Sequence, residues 1–253
     1  MPRYKRSVSE GIPKATPEGI CPKCKGAGYL RADVPIGHPQ FGKPIPCICK
    51  EKELAEKRRE QLYNLSQLHN LRDKRLANFN KFVPGVQEAY KAAKDFARDP
   101  DGWLLLAAKS GTGKTHLAAA IANECLDRGM TVLFTTAPDL LDHLRATFAP
   151  LSTIAYDELF TNMREAELLV IDDLGAQYST SWAVEKLFQL LNYRYINRLL
   201  TVITSNNDGL QTIDERIASR LGDTGLVRQI KMEQAEDYRP FTGGKKQTGA
   251  SFK

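Results

Sequence analysis

The run KSGTGKTH, from Lys109 to His116, has the composition of a loop that wraps a phosphate group. Gly111 and Gly113 free the backbone to curl, so that successive N–H groups face one anion. Lys114 has the reach for the β- and γ-phosphates of a nucleotide, and the Thr115 hydroxyl suits Mg2+. Ser110, Thr112 and His116 complete the loop and the first turn that would line the same anion. The apolar run WLLLAA precedes it and the helical pattern HLAAAIANECL follows. Strand, glycine-rich turn and helix is the required context, and the helix start offers its positive end to the phosphates. One position departs from the pattern G-x-x-x-x-G-K-[ST]: its first glycine is Ala108, at the strand end, where a methyl group is tolerated.

A second run, LLVIDDLG, sets Asp172 and Asp173 at the end of an apolar strand buried on both faces. Asp172 is the candidate for contacting Mg2+ through water. Asp173 is placed to polarise an attacking water as general base. The competing reading of such a pair, a turn or helix cap, weakens beside a phosphate loop. LLTVITSNN is another buried strand with a polar end, and its Asn206 would orient the water or touch the γ-phosphate. DERIASRLG puts Arg216 and Arg220 at i and i+4 on one helix face. Either could reach a neighbouring subunit's nucleotide, or pair at the surface with Asp214, Glu215 or Asp223; from these residues alone the surface pair is favoured.

The third group is CPKCKGAG followed by PCICK: Cys21 and Cys24, then Cys47 and Cys49. C-x2-C with C-x-C suits tetrahedral zinc held by four thiolates, and Gly26 and Gly28 suit a chain turning tightly around them. A segment this short builds no core unaided, so a structural Zn2+ is the expected staple. His38 is a lesser candidate ligand. A thioredoxin-like redox pair would need a βαβ unit that does not follow. Cys125, inside an apolar helix pattern, reads as a buried thiol.

The elements around these groups follow from periodicity. WLLLAA, TVLFTT, LLVID, TVITS and LVRQIKM alternate with helical patterns at 114–128, 137–147, 181–197 and 212–221. That predicts an α/β fold with a parallel five-stranded sheet covered on both faces. The expected order along the chain is a disordered 1–18, a cysteine module over 19–50, a basic linker helix over 51–78, a nucleotide-binding domain over 79–240 and a flexible 241–253. In the linker Leu54, Leu62, Leu65, Leu68 and Leu71 form a thin stripe, for a partner or for the chain's own core. Residues 1–81 hold 17 Lys and Arg against 8 Asp and Glu, while residues 82–253 hold 19 against 22. The basic front is either a solvated surface or a face for nucleic acid or an acidic protein. No apolar run approaches the roughly 20 residues of a membrane span, and the N-terminus has no secretory signal. A cytoplasmic location is expected.

The motif order SGTGKTHLA, LLVIDDLG, TSN, DERIASRL and DYR resembles the AAA+ ATPases of the DnaC/DnaI helicase-loader type from about Phe79 to Arg239. The cysteine pairs, the basic helix and ANFNKF resemble the zinc-bearing front of DnaI-type loaders. The resemblance makes Lys114 and Thr115 Walker A residues, Asp172 and Asp173 Walker B, Asn206 sensor 1, Arg220 an arginine finger acting in trans, and Arg239 sensor 2. It implies a P-loop AAA+ core whose helical lid is largely absent, ATP and Mg2+ as ligands, and ATP hydrolysis at interfaces of a self-associated oligomer. It also implies docking on a hexameric replicative helicase through the N-terminal region, and loading of that helicase onto single-stranded DNA during replication initiation. Gln177, Tyr178 and Ser179, just beyond Walker B, are its candidates for DNA contact by stacking and phosphate bonding.

Two other readings stand beside this one. An IstB-type transposition regulatory ATPase shares the core motifs, and the cysteine module argues against it. A small-molecule kinase would need an acceptor pocket and an Arg-rich lid; the paired aspartates, TSN and SRL fit water attack better.

Overall fold

The computed structural model describes residues 20–148, 155–175 and 180–238. The ends expected to lack order, 1–18 and 241–253, together with Gln177, Tyr178, Ser179 and Arg239, lie outside the described residues. The chain divides into two units, at Glu60 and Gln61.

In the first unit, β1 (Tyr29–Arg31) and β2 (Pro44–Pro46) pair antiparallel, Leu30 opposite Ile45. Helix α1 (Ile48–Leu65) starts straight after Cys47. It is not the single helix expected over 51–78. It stops at Leu65 because Ser66 turns its hydroxyl to the backbone: Oγ accepts from Leu68 N and Phe134 N and donates to Phe134 O. Such local side-chain bonds compete with helix continuation. Short 3-10 turns follow at Gln67–Leu71 and Leu76–Asn78. Residues 61–78 therefore belong with the nucleotide-binding unit. Leu62 and Leu68 are buried in it, while Leu54 is exposed. Full burial of one leucine is worth about 1.5–3 kcal/mol, so the lower half of the leucine stripe anchors this segment on the chain's own core.

The second unit is a parallel sheet ordered β4-β5-β6-β3-β7. Its strands are β3 (Trp103–Ala107), β4 (Val132–Thr136), β5 (Leu168–Leu174), β6 (Leu200–Ser205) and β7 (Val227–Lys231). Strand alternation divides the apolar residues between two cores. Leu104, Leu106, Val170 and Val202 face α2 (Gln87–Arg98) and α3 (Lys114–Asp127). Trp103, Leu105, Leu169, Ile171 and Ile203 face α4 (Ala137–Ala146), α5 (Tyr156–Arg164), α6 (Ser181–Ile196) and α8 (Glu215–Leu221). The run LAAAIA in α3 has side chains small enough for close approach to the sheet. A five-residue α7 (Asn207–Gln211) follows β6. Among the described residues no helix follows β7, and none is long and apolar enough to cross a membrane.

One charged residue sits wholly inside this unit. Arg194, 0% exposed, donates to Thr201 Oγ1 and to the carbonyls of Arg164, Ala166 and Leu200. It thereby joins α6 to the entrances of β5 and β6. Burial pulls its pKa down to about 9.

Candidate functional site

Strand β3 delivers the loop 108–113 to the carboxyl edge of the sheet, where open α/β sheets bind ligands. Ala108 is buried with its methyl group in the apolar core, its N–H donating to Ser205 O and its carbonyl accepting from Lys114, so the missing glycine costs nothing here. The Lys114 ammonium donates to Ala108 O (2.9 Å), Lys109 O (2.7 Å) and Asn206 Oδ1 (3.1 Å). It lies at the mouth of the loop, ready to exchange carbonyls for phosphate oxygens. Gly113 has φ +94° as it opens α3, and a Cβ there would stand 2.8 Å from the Phe79 ring. At Gly111, φ +79°, the Asp237 carboxylate fills the space any side chain would need.

The two aspartates reach the same cleft through an irregularity. Successive strand residues point to opposite faces, so a regular β5 would separate them. The β5–β6 register instead shifts between Ile171 and Leu174, and Asp173 takes φ +56°, a conformation Asp tolerates better than most residues. Asp172 accepts from Thr115 Oγ1 (3.0 Å to each oxygen) and from Thr204 Oγ1 (2.6 Å). Asp173 N donates to Thr204 Oγ1 at 2.8 Å, and its carboxylate accepts from Asn206 Nδ2 at 2.8 Å. Burial raises the Asp172 pKa; the Thr204 and Thr115 hydroxyls oppose that shift. A hydroxyl and a carboxylate in contact form a hard-oxygen donor set of the kind Mg2+ takes, and a bound dication would offset the burial of Asp172.

A cavity of about 560 Å³ is lined by Ser110, Gly111, Gly113, Lys114, Thr115, His116, Asp172, Asp173 and Asn206, so nine predicted residues converge on one space. Thr204 and Lys74 also line it and were not anticipated. A second cavity of about 300 Å³ adjoins it at Gly111, Gly113 and His116. Its walls include Phe79, Val83, Val86, Asn80 and Tyr238. Phe79 stacks on Tyr90 (5.8 Å between centroids) and meets the His116 ring edge-on at 5.3 Å. Tyr238 N donates to Gly111 O at 3.1 Å, and Asn80 Nδ2 donates to the Tyr238 hydroxyl at 3.2 Å. A flat apolar slot with amide donors, next to a phosphate cleft, has the shape and chemistry for a nucleobase. The sequence signal was thin: ANFNKF and DYR are short and lie far apart.

The two arginines of α8 differ. Arg216 pairs with Asp214 and Glu185, both at 3.0 Å. Arg220 donates to Asn192 Oδ1 (2.9 and 2.6 Å) and lies over the Phe188 ring at 4.7 Å. No carboxylate among the described residues forms an ion pair with it. The surface pairing expected of this helix falls to Arg216, and Arg220 keeps its charge half-exposed on an amide and an aromatic face.

In the first unit Cys21, Cys24, Cys47 and Cys49 place their sulfurs within 4.8 Å of one another. Cys21 and Cys47 are 3.8 Å apart and Cys24 and Cys49 3.3 Å. Tetrahedral bonds of about 2.3 Å give sulfur separations of about 3.8 Å, so the four can hold a zinc-sized ion. Lys25, Gly26 and Gly28 all have positive φ, and Gly28 N donates to Cys24 Sγ at 3.3 Å. The backbone N–H groups of Cys24 and Lys23 bring the Cys21 thiol down to about 6, while its bond to Cys24 pushes Cys49 up to about 12. Exposed His38 bonds only its own turn, through Gln40 N.

Comparison with known proteins agrees with this geometry. The replicative helicase loader DnaC of Escherichia coli K12 is 28% identical over 178 residues, covering 68% of this chain and 72% of the loader. The DnaC of Buchnera aphidicola subsp. Schizaphis graminum is 30% identical over 143 residues, 54% of this chain; the match spans 58% of that loader's length. The crystal structure of DnaI superposes with TM-score 0.52 and 26% identity, covering 64% of this chain and 89% of DnaI. The family model described as IstB-like ATP binding protein matches residues 47–228, which takes in the second cysteine pair but not the first. With its phosphate loop, paired aspartates and sheet order all inside or against that span, the chain belongs to the IstB-like ATP-binding family.

Proposed function

We propose that this chain is an ATP-dependent loader of the hexameric replicative helicase, placing it on single-stranded DNA and hydrolysing ATP between subunits of its own oligomer. The observation that carries the proposal is the separation of roles within one fold. Lys114, Thr115, Asp172, Asp173 and Asn206 share a cleft, while Arg220 stands on α8, outside that cavity's walls and free of ion pairing among the described residues. An arginine so held suits a neighbour's γ-phosphate. Lys114 binds the β- and γ-phosphates, Asn206 positions water, and Asp173 accepts its proton. Thr115 and Asp172 would hold Mg2+, which supplies charge neutralisation at the phosphates. Arg239 completes the set as sensor 2.

The four cysteines would hold a structural Zn2+, which keeps the basic front folded as the helicase-docking face. For DNA, the reading uses Gln177, Tyr178 and Ser179. A stack of Phe148, Tyr156 and Phe160, at 5.3 and 5.7 Å, is a further aromatic surface of the kind on which bases pile. A transposition regulatory ATPase is the second reading, favoured by the family match at 47–228. A pull-down of the full chain with purified hexameric replicative helicase, with and without ATP, separates them. Retention of the helicase with ATP is the expected result; its absence under both conditions would leave the second reading.

A further inference from the structure

Lys74 lies upstream of every nucleotide motif in the chain, yet it lines the phosphate cleft. It is absent from the base pocket, and the cleft it lines also holds Thr115, Asp172, Asp173 and Asn206, the residues read as serving Mg2+ and the attacking water at the γ-phosphate. Its ammonium bonds Asp73 at 2.8 Å, an exposed carboxylate on the adjacent residue. Such a pair is readily exchanged for a more highly charged partner.

Its placement is built in. Helix α3 turns one stripe of side chains, His116, Asn123 and Asp127, towards the segment 71–75; positions seven and four apart share a helix face. Asn123 Nδ2 donates to Leu71 O and Lys74 O, both at 2.9 Å. His116 Nε2 bonds Arg75 O at 3.0 Å, and Asp127 pairs with the Arg75 guanidinium. The helix that begins at the phosphate loop thus grips the backbone on either side of Lys74.

We propose that Lys74 is a second phosphate-binding cation that contacts the γ-phosphate, so that ATP, and not ADP, pins the segment 71–75 to the nucleotide site. The inference rests on the reading of this cleft as an ATP site. Because this segment is joined to α1 through Ser66 and the 3-10 turn Gln67–Leu71, the state of the nucleotide is transmitted to the chain connection leading to the cysteine unit.

The test is equilibrium binding of Mg-ATP and Mg-ADP to the full chain, for wild type, Lys74→Ala, Lys74→Arg and Lys114→Ala, each verified as folded by its thermal melt. Lys74→Ala should weaken ATP about tenfold and ADP no more than twofold, and Lys74→Arg should stay within about threefold for ATP. Hydrogen exchange over 66–80 should slow with ATP in wild type and not in Lys74→Ala. Unchanged ATP affinity in Lys74→Ala, or equal losses for ATP and ADP, would overturn the inference. Failure of wild type to bind either nucleotide, or full binding by Lys114→Ala, would instead overturn the ATP-site reading itself.

Discussion

Asn206 places its amide nitrogen 2.8 Å from Asp173 Oδ1. The same amide accepts from Lys114 through its oxygen at 3.1 Å. One planar group therefore links the phosphate-binding cation to the proposed base, from the position just past β6, whose sequence gives no sign of either partner. Asn206→Ala should leave ATP affinity within about threefold and lower kcat by about 10²-fold or more, the size typical of a positioned proton-transfer partner. Separate measurement of Kd and kcat checks this; an equal fall in both would make Asn206 a binding residue only.

Asp172 shows the cost of building such a site. Its pKa is raised by burial, so folding favours the protonated form and ionisation at neutral pH works against stability. Asp172→Asn removes that charge while an amide can still accept from Thr204 and donate to Thr115. Its thermal midpoint without nucleotide should be no lower than wild type, with ATP turnover abolished. A clear fall in the midpoint would mean that the carboxylate is structurally needed.

Arg194 is a purely structural counterpart. Replacement by Met keeps the bulk and strands the Arg164, Ala166 and Leu200 carbonyls, at about 1–3 kcal/mol for each buried group left unpaired. Arg194→Met should therefore destabilise by about 3 kcal/mol or more in denaturant unfolding, without a specific effect on nucleotide selectivity.

His116 makes the grip on segment 71–75 sensitive to acid. Its Nε2 must carry a proton to bond Arg75 O, and burial lowers the ring's pKa below the ordinary 6.5, with Lys74 adding to the shift and Asp73 opposing it. In a window below pH 6.5 the unfolded chain binds a proton that the folded chain does not. The contribution is present above that pH and declines as pH falls through the window. His116→Gln keeps an amide donor and removes the titration. Its thermal midpoint should fall less than that of wild type between about pH 7.5 and 5.5; parallel curves would contradict this assignment.

Much of this was legible in the sequence, because buried strands are continuous apolar runs and their polar ends mark the carboxyl edge of the sheet. All five main strands and Lys114, Thr115, Asp172, Asp173 and Asn206 follow from that pattern. The bulge that turns both aspartates into one cleft does not, since register depends on β6, some thirty residues on. The base pocket joins Phe79 to Tyr238 across most of the chain, and no local spacing records that meeting. Helix α5 is short and bounded by polar residues, so its apolar face was lost among loops. The end of α1 at Leu65 depends on Ser66 bonding Phe134, a partner far away in sequence. Lys74 reads in the sequence as one more charge in a basic helix; only the fold brings it to the wall of the cleft.

If ATP is hydrolysed between subunits while a helicase is loaded, a phosphate-loop variant and an arginine variant must complement each other. The most direct measurement is ATP turnover by Lys114→Ala and Arg220→Ala, alone and mixed, with single-stranded DNA and purified hexameric helicase present. Each alone should be nearly inactive. The mixture should recover activity, because the second variant supplies an intact phosphate loop and the first supplies the arginine. Full activity of Arg220→Ala alone, or no recovery in the mixture while wild type turns over, would contradict it.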